Sequence, residues 1–291
     1  MTQTMMSQRS LAGMQLGLTR LARVQEQIST GRIINRPSDS PIDAASAMNL
    51  RKELGEQQQY LRNTADGLAW LNTADSTLSS MSLQIRKARE LGLQGANTGA
   101  LSADARNALA VEIEGIRDSL IKVSNTTYLD RPIFGGITAG SKAYDDSGAF
   151  VGVAGGVTRA VAPGVRIDVN VDGASIIGPN GANLFDDLSA LAGAIRTGDS
   201  AATAVGLDAL QTGLGRVTTA LADVGSRTVR VEAAEQAALD AELSIKTSLS
   251  EVENTDLPKA LMELKLQETA YQAALAATAR VMQPSLIDFL R

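Results

Sequence analysis

Few residues in this chain are of a type and spacing that could do chemistry. Two adjacent carboxylate pairs, Asp145-Asp146 and Asp186-Asp187, are of the kind that serves acid–base catalysis or holds Ca²⁺. Both lie in polar, glycine-rich turns without the oxygen-rich spacing of an EF-hand, which marks them as solvated surface acids. Gly152 and Gly155-Gly156 approach a phosphate-loop composition but lack a Gly-x-Gly-x-x-Gly run or a closing Lys-Ser/Thr, so they read as turn glycines. Ser29, Ser38 and Ser285 have neither a His nor a Lys at hydrolase spacing to activate them. The chain has no His and no Cys at all, which removes disulfides, thiolate and imidazole metal sites, and every scheme that needs a His base. The sequence therefore predicts no catalytic, cofactor-binding or metal-binding residue, and a protein that is not an enzyme.

What remains is architecture. Of 291 residues, 44% are hydrophobic but only 3% aromatic, and 20% are charged with a net charge of -5. A core built from Leu, Ile, Val, Met and Ala favours helices packed along narrow seams. No stretch approaches the roughly 18 apolar residues that span a bilayer, and Met1 to Arg20 has neither a basic head nor an unbroken apolar run, so neither membrane insertion nor the ordinary secretory route is expected. Mild acidity without a basic block argues against a nucleic-acid partner.

Glycine divides the chain: 9 fall in residues 1–131, 11 in 132–185 and 6 in 186–291. Between Pro41 and Pro132 there is no proline, whereas Pro132, Pro163 and Pro179 punctuate the glycine-rich middle. Val165, Ile167, Val169 and Val171 alternate with polar residues, the period of a half-buried strand, and Pro163-Gly164 before it signals a hairpin. The reading is a terminal coiled-coil portion (1–41 and 256–291), a helical core (42–131 and 186–255) and a β-rich outer insert (132–185).

The flanks carry a seven-residue repeat. Leu11, Met14, Leu18, Leu21, Gln25 and Ile28 step by three and four, as do Leu257, Leu261, Leu264, Glu268, Tyr271, Leu275, Thr278, Met282, Ser285 and Phe289. Leu50 to Leu78 keep the rhythm, which shifts phase at Met81, Ile85 and Ala88; Leu109 to Val123 form another run, and Leu188 to Leu221 and Leu239, Leu243, Leu249 and Val252 read as further helices. Ser40-Pro41, Ser102 and Asp256 supply start signals. A loop-rich insert between two helical halves suggests that the chain returns to the same end of a bundle, so that first and last helices run antiparallel. The apolar area of that terminal pair is too small to offset the cost of ordering it, and polar Gln25, Glu268, Thr278 and Ser285 interrupt its seams. Further partners must cover it, and the termini are expected to fold on assembly. The residues assigned to this assembly seam are Leu11, Met14, Leu18, Leu21, Ile28, Leu257, Leu261, Leu264, Tyr271, Leu275, Met282 and Phe289.

Two stretches then become recognisable. Gln27-Ile28-Ser29-Thr30-Gly31-Arg32-Ile33-Ile34-Asn35-Arg36-Pro37-Ser38-Asp39-Ser40-Pro41 resembles the N-terminal signature of the bacterial flagellin family, and Leu257 to Leu290 resembles its C-terminal helix. Arg36 to Pro41, Trp70 to Asp75, Ala88 to Asn97 and Arg131 to Gly136 are similar to the branch of that family found at the hook–filament junction. The resemblance implies a mainly α fold: an elongated flagellin-like helical bundle and coiled coil formed by the N- and C-terminal halves, with a small β-rich inserted domain. It implies a structural, secreted protein of the extracellular flagellum, exported by the flagellar type III apparatus, that joins hook to filament. Its partners would be a ring of its own copies, a neighbouring hook-associated protein and flagellin, and an export chaperone. Arg32 and Arg36 are expected to pair with Asp39 or with another subunit, and Trp70 to anchor the packing. A filament flagellin with a reduced outer domain is the alternative; a membrane-surface translocator is disfavoured because residues 256–291 carry four basic and four acidic groups and few aromatics.

Overall fold

The computed structural model describes residues 3–97 and 101–282, and the chain forms two compact units, residues 1–56 with 241–291 and residues 57–240. In chain order the described residues form helices α1 (Gln3–Thr30), α2 (Pro41–Ala96) and α3 (Ala103–Ser124), then strands β1 (Thr127–Tyr128), β2 (Arg131–Pro132), β3 (Thr158–Ala162) and β4 (Val165–Asp168). Helices α4 (Gly173–Ile177), α5 (Leu184–Thr197), α6 (Ser200–Glu253) and α7 (Leu257–Met282) follow. The fold is mainly α, with two two-stranded antiparallel ladders, β1–β2 and β3–β4, and isolated bridges at Arg32–Asn254, Gly136–Val153 and Tyr144–Phe150.

The start signals lie where helices begin. The Ser102 hydroxyl accepts the amide of Ala105 at 3.2 Å, and an Asp256 carboxylate oxygen accepts that of Lys259 at 3.2 Å. At the head of α2 the Ser40 carbonyl accepts the amide of Ala44 and its hydroxyl donates to Asp43 at 2.6 Å, with Pro41 in the first helical position. Asn183 and Asp186 form a reciprocal capping box at α5.

In the unit of residues 57–240 one continuous core runs through α2, α3, α5, α6 and the insert. Leu71, Ala74, Leu78, Met81, Ile85 and Ala88 of α2 are wholly buried and step by three and four without a break, so the phase shift expected at Met81 is corrected: the stripe passes through Ala74 rather than Asp75, which is exposed. On α6 the buried stripe is Leu210, Val217, Val224, Val231 and Ala238, one residue every seven. Leu239 and Leu243 lie on this helix, as expected, but outside the buried stripe, 44% and 67% exposed. The eye follows leucines, whereas this narrow interface is filled by valine and alanine. A Cβ on Gly67 would stand 3.2 Å from Val169 and one on Gly92 2.8 Å from Leu207, so a side chain at either position would require these neighbours to shift.

The insert holds the expected hairpin. β3 and β4 turn at Pro163-Gly164, with Gly164 left-handed at φ 71° and a bulge between Ala160 and Ala162. Ile167, Val169 and Val171 are buried and join the helical core with Val161 of β3, whereas Val165, the first residue of the expected alternation, stands beside the turn and is 44% exposed. Much of the rest is ordered by side chains bonding to backbone. Asn125 accepts the amides of Ala143 (2.8 Å) and Tyr144 (2.9 Å), Asn170 accepts that of Val157 (2.6 Å), and Asn63 donates to the Ala160 carbonyl (2.8 Å). Arg216 donates to the carbonyls of Ile176 and Ile177, and Arg227 to that of Asn170, tying the insert to α6. Tyr144 packs edge-on against Phe150 and Phe185, its ring buried.

Candidate assembly surface

The unit of residues 1–56 and 241–291 pairs α1 with α7. Where the helices meet, Arg32 bridges Asn254 in antiparallel fashion, with Ile33 N–H donating to the Glu253 carbonyl (2.7 Å) and Thr255 N–H to that of Gly31 (2.9 Å). Farther along, a Cβ on Gly17 would lie 3.5 Å from the Tyr271 ring. Rising residue numbers on α1 thus meet falling ones on α7, and the pair is antiparallel.

The stripe of lowest exposure on α1 is Ser10, Met14, Gly17, Leu21, Val24 and Ile28, continued by Gly31 just beyond the helix, of which Val24 is 5% exposed and the others half-buried. On α7 it runs through Ala260, Leu264, Gln267 and Tyr271. Met14, Leu21, Ile28, Leu264 and Tyr271 of the expected seam lie on these half-buried stripes. Leu11, Leu18, Leu257, Leu261 and Leu275 flank them and are 55%, 45%, 48%, 53% and 43% exposed. The side chain of Met282 and the whole of Phe289 lie outside the described residues, as does Ser285. Each helix thus carries two apolar stripes that share Met14, Leu21, Ile28, Leu264 and Tyr271. Small residues at Ser10, Gly17, Gly31 and Ala260 let the helices close along one stripe, and leucines stand unpaired along the other.

The turn between α1 and α2 is locked by polar contacts. An Asp39 oxygen accepts the amides of Arg36 (2.8 Å) and Asn35 (3.2 Å), and the other takes Arg23 at 2.9 Å. The Arg36 amide foremost, with the Asn35 amide and the Arg23 guanidinium, holds the Asp39 carboxyl below its ordinary value. The Arg36 side chain pairs with Glu26 at 3.4 Å, and Arg32 lies 4.0 Å from Glu253. Glu253, with its side chain 7% exposed, also binds Arg51 at 2.7 Å. Glu253, Arg51 and Val24 are absent from the expected site. The seven-residue recurrence of Ser10, Gly17, Val24 and Gly31 is the signal that would have exposed the inner stripe.

The remaining sequence candidates resolve as structural groups. Asp145 accepts the Ser147 hydroxyl (2.6 Å) and the amides of Ser147 and Ala149 (both 2.9 Å), and these bonds, the hydroxyl first, lower its pKa. Asp186 belongs to the α5 cap, while burial foremost, with Asp186 adjacent, raises the Asp187 pKa against the pull of Arg216. Among the described residues no cluster of acidic side chains could hold a metal ion. Gly155 lies in irregular backbone rather than in the expected turn, and its carbonyl accepts the Asn170 side chain at 2.8 Å. Trp70 is 2% exposed and meets Tyr128 edge-on at 5.5 Å.

Residues 2–138 match the bacterial flagellin N-terminal helical region, and residues 193–290 the C-terminal helical region. The chain belongs to the bacterial flagellin family. It is 27% identical over 298 residues to flagellar hook-associated protein 3 of Escherichia coli K12, covering 94% of each chain. Polar flagellin F of Vibrio parahaemolyticus is 28% identical over 136 residues, covering 47% of this chain and 34% of that one. The solved structure of a flagellar hook-associated protein from Vibrio parahaemolyticus superposes with a TM-score of 0.69 at 23% identity, over 74% of this chain and 100% of that one, and so shares the fold. Within this flagellin-family fold, the conspicuous unsatisfied feature of the α1–α7 pair is its outer leucine stripe. No helix among the described residues is long and apolar enough to cross a membrane.

Proposed function

We propose that this chain is a non-enzymatic structural component of the extracellular flagellum that joins hook to filament. It assembles as a ring of its own copies whose terminal helices complete their folding on contact. One observation carries the assembly reading: Leu11, Leu18, Leu257, Leu261 and Leu275 form a second stripe that α1 and α7 cannot bury in each other. Two helices with an unfilled apolar face need a third element against it. In this reading residues 1–41 and 256–291 are the assembly portion, whose described seam residues include Met14, Leu21, Ile28, Leu264 and Tyr271, with Met282 and Phe289 continuing it.

The junction position is supported by likeness along 94% of the chain to flagellar hook-associated protein 3, against 47% for polar flagellin F. The partners proposed are the neighbouring hook-associated protein on one side, flagellin on the other, and a chaperone during type III export; neither nucleic acid nor a bilayer is among them. Deleting the gene tests the position: hooks without filaments, and flagellin accumulating in the medium, are expected. Filaments that persist with one component missing would instead support the second reading, a filament flagellin with a reduced outer domain.

A further inference from the structure

Two distant segments of the chain meet at the root of the α1–α7 pair, and both are held there. Ile33 N–H donates to the Glu253 carbonyl at 2.7 Å and Thr255 N–H to that of Gly31 at 2.9 Å, the pattern that makes Arg32 and Asn254 a non-hydrogen-bonded antiparallel pair. Gly31, left-handed at φ 70°, turns the chain out of α1 and into this rung. The Gln27 side chain donates to the Ile33 carbonyl at 3.1 Å, and that of Asn35 to the Arg32 carbonyl at 3.2 Å. The Glu253 carboxylate, 7% exposed, binds Arg51 of α2 at 2.7 Å, and a buried carboxylate parted from its guanidinium would be left uncompensated.

Beyond that point α1 and α7 are held progressively less. Val24 and Ala260, at 5% and 6% exposed, are the only buried residues of these two helices among those described, and both lie within about two turns of the rung. Toward the chain ends Met14, Gly17 and Tyr271 are half-buried. There α7 is also rich in alanine, at Ala270, Ala273, Ala274, Ala276, Ala277 and Ala279. Alanine favours helix, but its small side chain does little to fix one register over the next.

The register is carried from the rung instead. Gly17 stands fifteen residues before Arg32 and Tyr271 seventeen after Asn254, and the two meet, with a Cβ on Gly17 lying 3.5 Å from the Tyr271 ring. Near-equal counts are what an antiparallel pair has when it extends from one fixed crossing.

We propose that residues 31–33 and 253–255, with Arg51, form a clasp that is already closed in the free chain, and that α1 and α7 zip from it toward the chain ends as neighbouring copies arrive. Nucleating helix and bringing two segments together are the unfavourable steps, and extension is the easy one. The clasp settles the first meeting in advance, in one direction and one register, and leaves the outer leucine stripe to drive extension. The inference rests on the fold-on-assembly reading above and adds where that folding starts and which way it runs.

The absence of cysteine makes the test clean. A non-hydrogen-bonded antiparallel pair brings its Cα atoms to about 4.5 Å, within the range of a disulfide. Arg32→Cys with Asn254→Cys in one otherwise unchanged chain should therefore close an intramolecular disulfide in the dilute, isolated protein under mild oxidation, while the amides of α1 exchange fast. Closure no greater than in the urea-denatured chain overturns the proposal. Independently, Glu253→Ala should exchange the Ile33 and Thr255 amides about tenfold faster in the isolated chain and support about tenfold fewer filaments per cell, with exchange from Leu71 to Ala88 unchanged. Parental exchange at Ile33 and Thr255, or parental filament numbers, would overturn it. If α1 and α7 are strongly protected in the dilute chain, the fold-on-assembly reading fails; if they exchange fast and the Cys pair does not close, only the clasp fails.

Discussion

Replacing Leu261 by Asp separates what the α1–α7 pair does for itself from what it does for assembly. Leu261 is 53% exposed, so about half of its burial is already realised in one chain. A fully buried leucine contributes about 1.5–3 kcal/mol, so the substitution costs the isolated chain about 0.7–1.5 kcal/mol at most. Assembly would bury the other half and would place a carboxylate against the leucine stripe. An unpaired charge there costs several kcal/mol beyond the lost contact, a loss of association of a thousandfold or more. The assay compares thermal unfolding of the purified chain with its incorporation into flagella of a deletion strain. The expected result is a shift of a few degrees at most, and no incorporation. A variant that unfolds early would place Leu261 inside the monomer's own packing, and one that incorporates normally would leave the outer stripe without an occupant; either refutes the reasoning.

Other outcomes follow from the same geometry. Gly17→Leu should force Tyr271 away and, in detached flagella, lower amide protection of α1 and α7 while leaving that of Val217 and Val224 unchanged, as exchange measured by mass spectrometry would report. Tyr144→Phe should be neutral or stabilising, since the phenol oxygen is buried without a hydrogen-bond partner; a fall in Tm beyond a few degrees would contradict this. Asp39, whose carboxyl titrates below its ordinary value of 3.8 in the folded chain, contributes stability at neutral pH that is lost as pH falls below about 4. Asp39→Asn should therefore flatten that part of the acid-unfolding profile of the α1–α2 turn, and an unchanged profile would speak against the lock. Asp66→Ala should loosen the β1–β2 hairpin by releasing both Arg159 and Tyr128, at about 1–3 kcal/mol, read from denaturant unfolding.

The helices, their caps and the 163–164 hairpin were legible because each leaves a local mark: periodic apolar residues, a capping side chain, a proline beside a glycine. The inner stripe was not, because Ser10, Gly17 and Gly31 are small or polar and look like interruptions until a partner helix is seen to approach through them. Val224, Val231 and Ala238 were overlooked for the same reason, being smaller than the leucines that mark the rest of the helix. The Glu253–Arg51–Arg32 cluster was hidden because its members are far apart in sequence. The outer leucines were legible as a seam, but only the fold separates the stripe that α1 and α7 satisfy in each other from the one they leave open.

Amide exchange on the isolated, dilute chain and on detached flagella tests most directly whether the ends complete their folding on assembly. Exchange in α1 and α7 should be fast in the isolated chain and slow in flagella, with α2 from Leu71 to Ala88 protected in both. Equal, strong protection of α1 and α7 in the dilute chain would contradict it.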